Sequence, residues 1–237
     1  MQRFKQELSE PDALQTHILS TYTNLRWGLV SIAFTFPLVL YVGGHLFGEP
    51  PLPLQGSMSA YYHTVMRNGF VGYLFAIGAC LYFYKGFTTL ENYLLNAAGI
   101  LAVGVAIFPT DYKGDQNPAC KTFTWGNVHG VCAVTSFLCI ALVCWFCASD
   151  TLSEMNDEAK AAQYRKAYNW IGIAMLVSPL VAAILELVYQ FSRKGKTYTF
   201  FIELVAMWVF GTYWLVKSFE IRATNAEEKA ATKGLNS

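Results

Sequence analysis

Ser57, Ser59, Tyr62, His63 and Arg67 all lie in the stretch Ser57-Met-Ser-Ala-Tyr-Tyr-His-Thr-Val-Met-Arg67. A hydroxyl, an imidazole and a guanidinium can orient a polar headgroup, exchange a proton and hold an anion. If this stretch is helical, the i, i+4, i+8 spacing of Ser59, His63 and Arg67 predicts one shared face. That stripe would bind an anionic headgroup or activate a water. The plainer alternative is that Ser57 or Ser59 caps the next helix while His63 and Arg67 sit at the membrane interface. His45, His129 and Asp111 fall on the same side of the chain's apolar segments as His63. A His/carboxylate cluster of this kind suits a zinc ion with a bound water as nucleophile, or a proton-linked pocket. Glu186 and Glu203 are the deepest carboxylates, placed symmetrically about the segment joining the last two apolar runs. At similar depth in a helical hairpin they would set the charge of a pocket floor, carry a proton or cation, or act as structural hydrogen-bond partners.

The elements that must carry these side chains are legible from composition. Of 237 residues 54% are apolar and only 14% charged, with mean hydropathy +0.32. Soluble chains hold about 25% charged residues. The net charge of +1 gives no reason to expect nucleic acid as a partner. Six runs approach the roughly 20 apolar residues that span a bilayer: 28–47, 69–84, 93–109, 128–147, 170–189 and 198–216. With the N-terminus cytoplasmic, eleven of the Lys and Arg residues fall inside and six outside, which predicts both termini in the cytoplasm. Leu14, Ile18, Tyr22 and Leu25 recur at helical spacing after a Ser9-Glu-Pro-Asp start, predicting an amphipathic interfacial helix. The expected fold is therefore an all-α integral membrane bundle of six transmembrane helices. A cytoplasmic amphipathic segment (1–26) precedes the membrane domain (27–219), and a polar cytoplasmic tail (220–237) follows it.

Local signals fill in this plan. Thr151-Leu-Ser-Glu154 predicts the capped start of a polar helix between the fourth and fifth spans. Pro37 and Pro179 lie mid-span, and Gly69, Gly72, Gly78, Gly99 and Gly104 predict close helix approach. Five of the six cysteines lie within spans, where a thiol acts as a small apolar filler. No Walker A, GxGxxG, HExxH or GxSxG sequence occurs, so ATP-driven transport, nicotinamide chemistry and familiar zinc proteolysis have no support.

Ser57-Met-Ser-Ala-Tyr-Tyr-His-Thr64 and Arg67, with Tyr84-Lys-Gly, Asn96-Ala-Ala-Gly and Ala106-Ile-Phe-Pro-Thr110, resemble a group of uncharacterised bacterial multi-pass membrane proteins over residues 27–150. A more distant resemblance is to the alkaline ceramidase and adiponectin-receptor-like membrane hydrolases. In those proteins a serine four residues before a histidine contributes to a zinc site, the place Ser59 and His63 would take. They have seven spans and an HxxxH pair in the last. This chain has six predicted spans and no histidine in its final one.

The resulting functional expectation is a pocket open to the outer leaflet that binds or hydrolyses a lipid or other amphipathic molecule. Ser57, Tyr62, Arg67, Glu186 and Glu203 would contact it, while Ser59, His63, Asp111 and His129 would do the chemistry. No cofactor is required by the sequence, and zinc is the one it would accommodate. The alternatives are a proton- or cation-coupled transporter or channel subunit, and a non-catalytic protein that docks onto a membrane-protein partner or a second copy of itself.

Overall fold

The computed structural model describes residues 11–110, 125–153, 155–189 and 197–225. Among these there is no strand. Six long helices follow one another: α1 (Pro11–Phe47), α2 (Arg67–Phe83), α3 (Thr89–Ile107), α4 (Trp125–Leu142), α5 (Glu158–Tyr189) and α6 (Tyr198–Thr224). α4 runs on through a π-helical turn, Val143–Cys147, into one further helical turn, Ala148–Leu152. Four of these are long and apolar enough to cross a membrane: His17–Phe47, Thr89–Ile107, Val128–Leu152 and Tyr198–Thr224. α2 has 17 residues, about 25 Å of helix, a little short of a bilayer core.

Each predicted apolar run coincides with one helix, but two boundaries differ. At Arg26 and Trp27, where the interfacial helix is expected to lead into the first span, α1 continues unbroken from Pro11 to Phe47. Arg26 is buried, so no run of exposed polar residues ends the helix there. The helix also passes Pro37, as α5 passes Pro179. The second difference is the cap before α5. Thr151 is buried inside the turn Ala148–Leu152. The side chain that closes the open end of α5 is Asp157, whose Oδ1 accepts the Lys160 N–H at 3.1 Å. Ser9 and Glu154 lie outside the described residues, as does Cys120.

α3 starts on a capping pair that the sequence also carries, Thr88-Thr-Leu-Glu91. Thr88 Oγ1 accepts the Glu91 N–H at 3.2 Å, and Glu91 Oε2 turns back to the Phe87 N–H at 2.7 Å. α6 ends at Asn225 in the left-handed conformation, φ 49°, a common helix stop.

The helices form a closed ring. Each packs against the one before and the one after it, and α6 returns to α1. Close approach along this ring depends on glycine at particular places. A Cβ on Gly78 of α2 would stand 2.8 Å from the Gly99 carbonyl of α3, and one on Gly99 would stand 2.7 Å from the Gly78 carbonyl. Gly104 meets Cys132 across the α3–α4 contact, whereas nothing lies within 4 Å of a Cβ at Gly72. Two ends result. At one, the loop after α1 crosses to the start of α6, where the Phe200 N–H donates to the Gly56 carbonyl at 3.0 Å. The other is filled by Tyr84, Tyr168, Tyr213 and Trp214, all buried.

Candidate functional site

Inside the ring is a cavity of about 1040 Å³, open at the end where α1 passes into α2. Every long helix contributes to its wall, with Phe36, Leu81, Ala102, Ile140, Ser178 and Phe210 among the lining residues. Along α2 the wall runs from Phe70 to Leu81, about 16 Å at helical rise. The deep part is mostly hydrocarbon. Its polar atoms, Ser136 and Ser178, donate their hydroxyl protons to the carbonyls of Ala98 and Ala174, at 3.0 Å and 2.7 Å.

The mouth is polar, and five of the residues singled out from the sequence meet there: Ser57, Ser59, His63, His129 and Glu203. Residues 59–63 form a 3-10 turn rather than part of α2, and Thr64–Met66 separate that turn from Arg67. This removes the predicted stripe, because a 3-10 turn aligns residues three apart, not four. Ser59 is buried, His63 exposed, and Arg67 is turned away from the cavity. Arg67 donates to the Tyr62 hydroxyl at 2.7 Å and its guanidinium lies 4.5 Å from the centre of that ring. Neither Tyr62 nor Arg67 lines the cavity, so the expected anion-binding arginine is not part of this mouth.

Ser57 does two things. Its Oγ accepts the Ala60 N–H at 3.0 Å, the capping role, and it lies 3.1 Å from Ser59 Oγ. Glu203, one turn into α6, accepts the Met58 N–H and so clamps the turn onto the ring. Beside it, burial pushes the Tyr61 phenol above its ordinary range, keeping that hydroxyl neutral.

The two histidines reach the mouth from different elements and are held by one short segment. His63 Nε2 is 2.8 Å from the Thr110 carbonyl, and His129 Nδ1 is 2.8 Å from the Phe108 carbonyl. A carbonyl only accepts, so each of these nitrogens carries the proton. Phe108-Pro-Thr110, at the end of α3, thereby fixes the tautomer of both rings. In the neutral imidazole of His129 the other nitrogen, Nε2, is the basic one.

The remaining expectations separate. His45 is exposed and not part of the cavity wall. Asp111 and the side chain of Glu186 lie outside the described residues. Among the described residues no three His, Cys, Asp or Glu side chains gather as metal ligands. The zinc set proposed from sequence needed His63, His129 and His45 or a carboxylate, and His45 is not with the other two.

A second group was not singled out from the sequence. Glu91, Lys217 and Glu220 are buried together at the closed end, with Thr151 and Tyr168. They flank the predicted runs at 93–109 and 198–216, where charge reads as the ordinary boundary of a span. The opposite charges of Lys217 and Glu220 three apart, followed by apolar Ile221, were the available signal.

Comparison of the chain with known protein families, with characterised proteins and with solved structures finds no match.

Proposed function

We propose that the chain is a six-span membrane protein whose ring of helices holds an amphipathic molecule, its apolar part in the cavity and its polar end at the Ser57–His63 mouth. The observation that carries this is the cavity's own gradient: hydrocarbon walls from Phe70 to Leu81, then hydroxyls, two imidazoles and a carboxylate at the opening. Ligand sites combine an apolar lining with a few placed polar groups in this way. The excess of Lys and Arg on the other side of the spans supports a mouth that faces the outer leaflet. Arg67 at the start of α2 snorkels to the interface and makes up part of that helix's short length.

The test is native mass spectrometry of the detergent-purified protein. Wild type is expected to carry a bound lipid, and Ala133→Trp, which narrows the cavity from α4, to carry less of it while remaining folded. A wild-type protein free of lipid, or a narrowed variant that carries as much as wild type, overturns the proposal.

A second function of the same mouth, hydrolysis of the bound molecule, is favoured by one observation, the fixed tautomer of His129. With Nδ1–H tied to Phe108, Nε2 is the basic nitrogen of that tautomer, the one that would take a proton from a water as a general base does. His129→Gln would then abolish turnover while the protein still carries the lipid.

A further inference from the structure

Two carboxylates and one ammonium are sealed into the closed end of the ring: Glu91 and Lys217 are each 1% exposed and Glu220 is 0% exposed. Lys217 Nζ lies 3.0 Å from Glu220 Oε2 and donates to Thr151 Oγ1 at 2.8 Å. Tyr168 donates its hydroxyl proton to the same Glu220 oxygen at 2.9 Å. Glu91 is within electrostatic reach of both Lys217 and Glu220. Lys217 Nζ stands 5.5 Å from the centre of the Phe87 ring, whose backbone N–H holds Glu91.

Among the described residues, the other groups around the cluster do not balance its charge. Tyr84 just after α2, Tyr213 from α6, and Cys144 and Cys147 from the π-helical turn are ordinarily neutral at neutral pH. Asp150 is a further acid but is exposed. α1 brings a buried cation, Arg26, on a different face of α6. Arg26 donates to Thr23 Oγ1 at 3.2 Å and lines a separate pocket of about 200 Å³ with Ser218, Arg222 and Asn225.

With both glutamates ionised the sealed group would hold two negative charges against one positive. An uncompensated charge in a protein interior is costly, and one added proton removes it. A second observation points the same way. Glu220 Oε1 is buried and has no hydrogen-bond partner among the described residues. An ionised carboxylate normally has both oxygens bonded when it is buried. We infer that Glu91, Glu220 and Lys217 form a proton-binding site that carries one exchangeable proton between the two carboxyls at neutral pH. The site is separate from the mouth of the cavity and stands whether or not the cavity holds a lipid.

Infrared difference spectroscopy of the full chain in lipid vesicles at neutral pH tests this through the C=O stretch of a protonated carboxyl. Glu91→Gln is expected to lose one such band, and Glu220→Gln to lose the same one. Either change leaves a single carboxylate balanced by Lys217. Lys217→Met is expected to gain a second band, since both carboxyls are then uncompensated. Should Glu91→Gln fail to fold, the Glu220→Gln and Lys217→Met spectra decide. A band that survives Glu220→Gln, or a Lys217→Met spectrum identical to wild type, overturns the inference.

Discussion

His63 and His129 show how much a residue's type leaves open. Both stood out in the sequence because they share one side of the apolar runs with His45 and several carboxylates, although a lone histidine there is more often interfacial decoration. What holds them is backbone: the carbonyls of Thr110 and Phe108, at the end of α3. A main-chain partner has no residue type to look for, so this tie is invisible in a list of titratable side chains. Arg67 failed for a related reason. Its spacing from His63 suits a helix, but the chain breaks at Thr64–Met66 and the guanidinium turns to Tyr62 instead. The two histidines should differ when removed. His129 is 7% exposed, so His129→Ala removes a hydrogen bond made in a dry place together with the packing of the ring, which costs about 1–3 kcal/mol. His63 lies on an exposed turn where water replaces it, and His63→Ala is expected to cost about 1 kcal/mol or less. Chemical unfolding in detergent measures both. Equal losses would mean that the two bonds are equivalent.

At the scale of elements, the apolar runs located all six helices, because burial or lipid contact on every side leaves an unmistakable stretch. The ends were harder. Lys217 and Glu220 read as the flank of a span, yet α6 continues to Thr224 with both buried against α3, α4 and α5 partners. Among the glycines, Gly78 and Gly99 do meet across α2 and α3 while Gly72 meets nothing, a distinction that depends on which helix lies alongside. The cap of α5 likewise moved from Thr151 to Asp157. That carboxylate is held below its ordinary range chiefly by the Lys160 backbone N–H, and the Lys160 ammonium 3.5 Å away acts in the same direction. A depressed carboxyl contributes stability above the ordinary carboxylate range, and the contribution disappears as pH falls through the lowered value. The thermal midpoint of Asp157→Ala should therefore lie below that of wild type at neutral pH, and the gap should close on acidification. A gap constant with pH would assign the cap to something other than the charged carboxylate.

The property that belongs to the whole molecule is closure. A cavity of about 1040 Å³ exists because six helices pack mainly against their neighbours around a ring, and the ring is complete only where α6 returns to α1. No sequence period announces such a contact, since the two helices lie at opposite ends of the chain. It depends on Gly211, where a Cβ would stand 2.9 Å from the Phe34 ring and 3.0 Å from the Ala33 Cβ. Ala33 is fully buried and Phe34 is braced against Trp208, so neither side has room to give. Gly211→Val should therefore press α1 and α6 apart and cost about 1–3 kcal/mol through overpacking. Its effect on the cavity should exceed that cost. Gly211 is not a lining residue, yet parting this seam opens the wall between Phe36 and Phe210 to surrounding lipid. The bound amphiphile would then exchange quickly in a vesicle assay, with the polar mouth untouched. Gly130→Ala is the matched control, because a Cβ there meets nothing within 4 Å although the residue does line the cavity. Faster exchange in Gly211→Val and not in Gly130→Ala would show that closure of the ring, rather than any one lining residue, retains the ligand. The reverse order would place retention in the lining itself.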